Sequence, residues 1–241
     1  MNKIKNFLLD LLFPKFCLGC KKEGIYLCDD CRSILDISEF DYCLCETKPV
    51  RLTPTSTSGK CQKCIPRKLS GLYSALSYKE NSLTKKLIYQ FKYPPYLKDL
   101  AKTLASILAE HFILTGKNTN EIWENSILIP IPLSHKKLRS RGYNQSEELT
   151  KELSGVLQIP VFSDVLVKTK HTKPQMELSK LEREKNLEGA FVIKNPVKLT
   201  GKKVFLVDDV YTTGSTMQEC AKILLQNRAK SVWGITIARE G

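Results

Sequence analysis

Apolar residues along this chain follow two periods, and the two alternate. Val204, Phe205, Leu206 and Val207 form an unbroken apolar run behind the basic turn Gly201-Lys202-Lys203. Such a run reads as a strand buried on both faces. Ile127-Leu128-Ile129-Pro130-Ile131-Pro132 reads the same way and is closed by proline. Residues 71–78 and 165–167 are two further strand candidates. Between them, residues 82–91 and 97–114 carry apolar side chains at helical spacing, among them Leu100, Leu104, Ile107 and Leu108. Tyr93-Pro94-Pro95 must break that helical stretch. Helices are also predicted from about Gln145 to about Leu157 and from Met217 to Arg228. Buried strands interleaved with helices predict an α/β fold, with a parallel sheet flanked by helices.

Composition narrows this picture only slightly. The chain has 241 residues, room for one mid-sized domain and a small module. Its net charge of +13 favours phosphorylated substrates, nucleic acid or an anionic membrane as partners. No stretch approaches the roughly 18 apolar residues of a membrane span. Residues 1–15 are expected to form a short amphipathic helix, with Ile4, Leu8, Leu11 and Leu12 on one face. Asp10 interrupts any signal-peptide core there. Packing on the protein itself is the simpler role for that helix, and a membrane surface is the alternative.

Nine cysteines change the picture more. Eight fall between Cys17 and Cys64, as Cys17-Leu18-Gly19-Cys20, Cys28-Asp29-Asp30-Cys31, Cys43-Leu44-Cys45 and Cys61-Gln62-Lys63-Cys64. Pairs at this spacing, without an export signal, read as metal ligands rather than disulfides. Four thiolates close the tetrahedron of a structural zinc site and leave no position for substrate. Taken in order, Cys17, Cys20, Cys28 and Cys31 hold one zinc, and Cys43, Cys45, Cys61 and Cys64 a second. Spacing leaves an interleaved arrangement open. The single residue between Cys43 and Cys45 strains shared ligation, so the expectation is one or two structural zinc ions. Residues 16–66 are read as this zinc-ribbon module and 67–241 as the body. Residues 1–66 carry ten Lys or Arg and eight Asp or Glu, too balanced for a nucleic-acid-binding finger. Cys220, in the last predicted helix, is expected to be a packed core thiol.

The candidate chemistry lies where the apolar run 204–207 ends. Asp208 and Asp209 stand there, followed by Thr212-Thr213-Gly214-Ser215-Thr216 and a helix. Ligands of open α/β sheets bind at the carboxyl ends of strands. A helix N-terminus suits a phosphate, Gly214 lets the backbone approach it, and the hydroxyls add donors. The acids repel phosphate and suit sugar hydroxyls or a metal. A second candidate follows the strand at 127–132, where Lys136, Lys137, Arg139 and Arg141 crowd beside Gly142. Guanidiniums grip phosphate oxygens in pairs, which suits a pyrophosphate. Lys85, Lys86 and Lys92 read as a solvated face, with Lys92 also able to point at the strand ends. The polar, basic segment from Lys168 to Gln175 suits a loop closing over an anion, or a plain surface connection. No His-Asp or Ser-His arrangement points to hydrolysis.

Two resemblances gather these pieces. The string Val207-Asp208-Asp209-Val210-Tyr211-Thr212-Thr213-Gly214-Ser215-Thr216 resembles the phosphoribosyl pyrophosphate (PRPP) motif of type I phosphoribosyltransferases. That resemblance implies that Asp208 and Asp209 hold the ribose 2′- and 3′-hydroxyls and that Thr212 through Thr216 hold the 5′-phosphate. Lys137, Arg139 and Arg141 would then take the pyrophosphate side, with Mg²⁺ accompanying PRPP. The front cysteine pairs, Arg141-Gly142-Tyr143-Asn144-Gln145, the run Gln175…Leu178-Ser179…Arg183…Asn186…Ala190-Phe191 and the late acidic pair together resemble the ComF family over nearly the whole chain. Membership implies a type I phosphoribosyltransferase-like sheet behind a zinc-ribbon module. It also implies a cytoplasmic role in natural transformation, with single-stranded DNA or a DNA-uptake ATPase as partner. Two functions follow: a phosphoribosyltransferase whose acceptor the sequence does not name, or a non-catalytic PRPP sensor or DNA-binding component. The Cys43-Leu44-Cys45 spacing departs from the family pattern.

Overall fold

The computed structural model describes residues 14–53, 58–117, 119–170, 182, 186–194 and 199–240. The expected helix over 1–15 and most of the basic segment after Lys170 lie outside the described residues. Four parallel strands form the central sheet: β1 (Gly71–Ser77), β2 (Ser126–Pro130), β5 (Lys203–Tyr211) and β6 (Ser231–Arg239), in the order β1-β6-β5-β2. The strand candidate at 165–167 does not join them. It forms β3 (Leu166–Lys168), paired antiparallel with β4 (Phe191–Ile193) in a separate ribbon.

The helices begin and end for local reasons. Helix α1 (Asp29–Ser33) lies in the cysteine segment. In α2 (Leu83–Lys92) the Ser82 side chain accepts from Lys85 N at 3.1 Å, capping the first turn. Tyr93 is already extended ahead of Pro94, so the helix stops at Lys92. Helices α3 (Leu100–Leu114) and the one-turn α4 (Asn120–Trp123) follow. Helix α5 (His135–Arg141) carries the basic residues that follow β2; Ser134 caps it and Gly142, at φ +82°, ends it. Asn144 caps α6 (Gln145–Leu157) through Ser146 N at 3.1 Å. Helix α7 (Ser215–Gln226) follows β5.

Alternation along the strands creates two cores. Val204 and Leu206 enter one core, with Ile127, Ile129, Met217, Cys220 and Leu224. Phe205 and Val207 enter the other, with Leu128, Tyr73 and the α3 residues Leu104, Ile107 and Leu108. Truncating a ring such as Phe205 to alanine costs roughly 3–5 kcal/mol. The cysteine segment joins these cores. Cys17, Leu27, Cys28 and Cys31 pack into the α3 side. Cys43, Leu44 and Cys64 pack into the α7 side. Cys220 is fully buried there, as expected of a core thiol.

Candidate functional site

The sheet is uneven at its carboxyl edge, and that unevenness makes the site. β2 ends at Pro130, opposite Val207, whereas β5 runs on beside β6 until Tyr211 meets Arg239. Asp208 and Asp209 therefore stand on a strand that has lost one neighbour and runs on to Tyr211. Successive side chains leave a strand on opposite faces, so the two acids diverge. Asp208 is half-buried beneath the start of α6, and its Oδ1 accepts from Ser146 Oγ at 2.8 Å and from Asp209 N at 2.9 Å. Asp209 is 3% exposed and turns toward α2, where Lys92 Nζ donates to its Oδ1 at 2.9 Å. Asp209 Oδ2 is buried with no hydrogen-bond partner among the described residues. Burial, then the charge of Asp209, pushes the Asp208 carboxyl up to about 7. Burial opposes the charge on Lys92, but Asp209 and Asp208 outweigh it and hold that amine above its ordinary range.

The loop after β5 has the form a phosphate needs. Gly214 sits at φ +72° as the N-cap of α7 and offers no side chain to that helix, and the Thr213 Oγ1 accepts from Ser215 N at 3.4 Å. The positive end of a twelve-residue helix lies behind that turn. Thr213 Oγ1 and Ser215 Oγ lie 2.9 Å apart, a hydroxyl pair at the mouth of that turn. Thr212 is exposed. Glycine is required at 214 twice over. The backbone is left-handed, and an added Cβ would stand 2.4 Å from the Tyr211 hydroxyl oxygen.

Folding the basic segment into a helix sorts its charges. Lys137 and Arg141 are four residues apart and share the face of α5 that turns to the acids. Desolvation, and then the charges of Lys92 and Arg141, lower the Lys137 amine below its usual range. Desolvation and Lys137 do the same to Lys168, at the end of β3. Arg141 Nη1 donates to Gln145 Oε1. Arg139 lies on the opposite, exposed side of the last turn, and no described interaction ties it to the acids.

The eight front cysteines converge in sequential fours: Cys17, Cys20, Cys28 and Cys31, and Cys43, Cys45, Cys61 and Cys64. Within each group the sulfurs lie within 4.8 Å of one another. The Cys17–Cys28 and Cys45–Cys61 sulfurs are 3.7 and 3.5 Å apart. A tetrahedron with zinc–sulfur bonds of about 2.3 Å has edges of about 3.8 Å, so both groups can hold a zinc ion. The single-residue gap does not exclude Cys45. Burial and the neighbouring thiols push Cys45 up to about 12. Against the opposing effect of burial, hydrogen bonds hold Cys61 down to about 6. Thiols this close do not all ionise together unaided; a divalent cation at their centre is the partner that lets them.

Comparison with known proteins agrees with this geometry. Residues 140–241 match the phosphoribosyl transferase domain family. A Salmonella typhimurium protein named DNA utilization protein YhgH is 30% identical over 218 residues, covering 86% of this chain and 93% of its own length. The Competence protein F of Haemophilus influenzae is 37% identical over 157 residues, 63% of this chain and 67% of that protein. The chain belongs to the ComF family. A Streptococcus pneumoniae member, Competence protein ComFC, is 28% identical over 91% of this chain. Among the described residues no helix is long and apolar enough to cross a membrane.

Two residues near the acidic pair, Ser146 and Arg67, escaped the sequence reading. Lys92 was read as part of a solvated face or, alternatively, as pointing at the strand ends, and it takes the second course by pairing with Asp209. Its position just before Tyr93-Pro94 was the available signal, because a helix must end there and leave its last side chain at the sheet edge. Ser146 and Arg67 had none, since their partners lie 62 and 144 residues away.

Proposed function

We propose that this protein binds PRPP at the carboxyl edge of β5 and transfers its phosphoribosyl group. The observation that carries the reading is the N-terminus of α7 behind the left-handed Gly214, a few residues from a carboxylate with one buried oxygen that has no partner among the described residues. The first-turn N–H groups of α7 and the hydroxyls of Thr213, Ser215 and Thr216 hold the 5′-phosphate, with Thr212 at the rim. Asp208 and Asp209 accept the ribose hydroxyls. Lys137, Arg141 and Lys92 neutralise the pyrophosphate side, and Arg139 contributes only to the long-range field. Breaking the bond from the anomeric carbon to pyrophosphate leaves a cation-like sugar, so fixed charges on both sides lower the barrier. Mg²⁺ accompanies PRPP and offsets charge on the departing pyrophosphate. Zinc in the cysteine groups takes no part in the chemical step.

The names carried by relatives support a role in the uptake or use of DNA. A second reading, in which the site senses PRPP without turnover while the protein contacts single-stranded DNA or a DNA-uptake ATPase, draws on the net charge of +13. Titration calorimetry of PRPP with Mg²⁺ tests the first claim, and absence of binding refutes it. Pyrophosphate release across a panel of acceptors then separates transfer from sensing.

A further inference from the structure

The second cysteine group is joined to the 211–216 loop by a continuous set of hydrogen bonds. Arg239, at the end of β6, is 6% exposed. It donates through Nη1 to the carbonyl of Cys43 at 3.0 Å and through Nη2 to that of Cys45 at 2.8 Å. Its guanidinium also lies 5.9 Å from the centre of the Tyr211 ring. The Tyr211 hydroxyl donates to Leu44 O at 3.4 Å and accepts from Arg67 Nη1 at 3.0 Å. The same Arg67 nitrogen donates to Thr213 O at 3.4 Å. Arg67 Nη2 pairs with Glu46 at 2.8 Å, beside Cys45. Lys68 N and Leu69 N donate to Gln218 Oε1 at 2.7 and 3.2 Å, on the first turn of α7. Tyr211 is the floor against which Gly214 turns. Whatever holds residues 43–46 in place therefore also holds that floor.

We propose that Arg67 and Arg239 are positioning residues that couple metal binding in the Cys43, Cys45, Cys61 and Cys64 group to the shape of the 211–216 loop, so that phosphate-ligand binding and metal binding strengthen each other. The coupling rests on the reading of that loop as the phosphate seat. Its physical basis is specific. The backbone of residues 43–46 takes its path because four sulfurs converge, and the carbonyls of 43, 44 and 45 are the acceptors for Arg239 and Tyr211. Release of the sulfurs frees those carbonyls and Glu46 together. Tyr211 and Thr213 then lose the contacts that hold the turn. The first group makes no such connection among the described hydrogen bonds. Its neighbour Arg32 reaches Glu110 at 2.6 Å and Ser106 Oγ at 2.8 Å on α3 instead.

Linkage makes the effect reciprocal, and couplings of this kind are about 5- to 150-fold. The full chain, loaded with zinc, is titrated with a zinc-binding dye of known affinity, with and without saturating ribose 5-phosphate. The expected result is that ribose 5-phosphate tightens one of two zinc sites by about 5- to 150-fold. The site affected is the one lost in Cys45→Ser. Arg67→Ala keeps two zinc ions, yet its shift falls below about twofold. Should that variant fail to fold, Glu46→Gln is read instead, and its shift must fall severalfold. Calorimetric binding of ribose 5-phosphate with an unmoved zinc midpoint overturns the coupling and leaves the loop reading intact. So does a shift confined to the first group, a shift that survives in the variant that is read, or a chain that takes up no second metal. No binding of ribose 5-phosphate or PRPP overturns the loop reading and the coupling with it.

Discussion

The two cysteine groups have the same donors and opposite positions. Cys17, Cys28 and Cys31 lie in the core on the α3 side of the sheet; Cys43 and Cys64 lie in the core on the α7 side. The first is fastened to a helix by Arg32. The second is fastened to the loop beside the acidic pair by Arg67 and Arg239. Chemistry alone would class both as structural staples. Position makes the first a matter of stability and ties the second to the site.

The largest effect that can break this comparison is loss of the first group. Cys17→Ser should remove one zinc equivalent and several kcal/mol of stability, because closed zinc sites contribute folding energy directly. Cys45→Ser should cost less stability, since Cys45 is only half-buried while Cys17 is 0% exposed. Thermal melts with metal analysis measure both. If the Cys17→Ser protein, at a temperature where it is folded, also loses ribose 5-phosphate affinity, the two groups are not distinct.

Gly214→Val comes next. A side chain at φ +72° meeting the Tyr211 ring should cost about 2–6 kcal/mol by strain and overpacking together. Ribose 5-phosphate binding should vanish in calorimetry while Cys17, Cys20, Cys28 and Cys31 keep their metal. Retained binding would mean that the turn does not seat the phosphate.

A smaller effect separates the two ends of PRPP. Arg141→Ala should weaken PRPP binding by roughly ten- to hundred-fold, the worth of a lost charged hydrogen bond of about 1.5–3 kcal/mol. Ribose 5-phosphate, which lacks the pyrophosphate, should bind nearly as before. Arg139→Ala should change both little, because α5 turns that side chain away. Equal losses for both ligands at Arg141 would misplace the pyrophosphate.

The smallest effect is a pH dependence. The Asp208 carboxyl is raised from 3.8 to about 7 in the folded protein, so the native state holds a proton that the unfolded chain releases. Its contribution to stability is complete below about pH 3.8 and is lost as pH rises through about 7. Asp208→Asn should therefore raise the melting temperature of the ligand-free protein by a few degrees at pH 8. The gain should fade as pH falls toward 4, and PRPP affinity should drop at the same time. A gain independent of pH would assign the effect to packing rather than to charge.

Much of this molecule was legible along the chain. The runs at 127–129 and 204–207 are unbroken because both of their faces are buried, and that alone predicts a parallel sheet under helices. The motif from Asp208 to Thr216 lies on consecutive residues, so its donors and acceptors can be read together in one dimension. The cysteine pairs are local for the same reason, although spacing left their grouping open. Only the tertiary structure separated Arg139 from Arg141, because helical phase, not residue type, decides which side a charge takes. It alone placed β3 outside the main sheet, where pairing with β4 outweighs a pattern that fits either location. It alone brought Lys92 to Asp209 and Arg67 to Tyr211, across 117 and 144 residues. Lys92 had only its place before Tyr93-Pro94 to point it at the strand ends, and Arg67 had no local signature, since an arginine after a cysteine knuckle looks the same whether its partner is water or a buried hydroxyl.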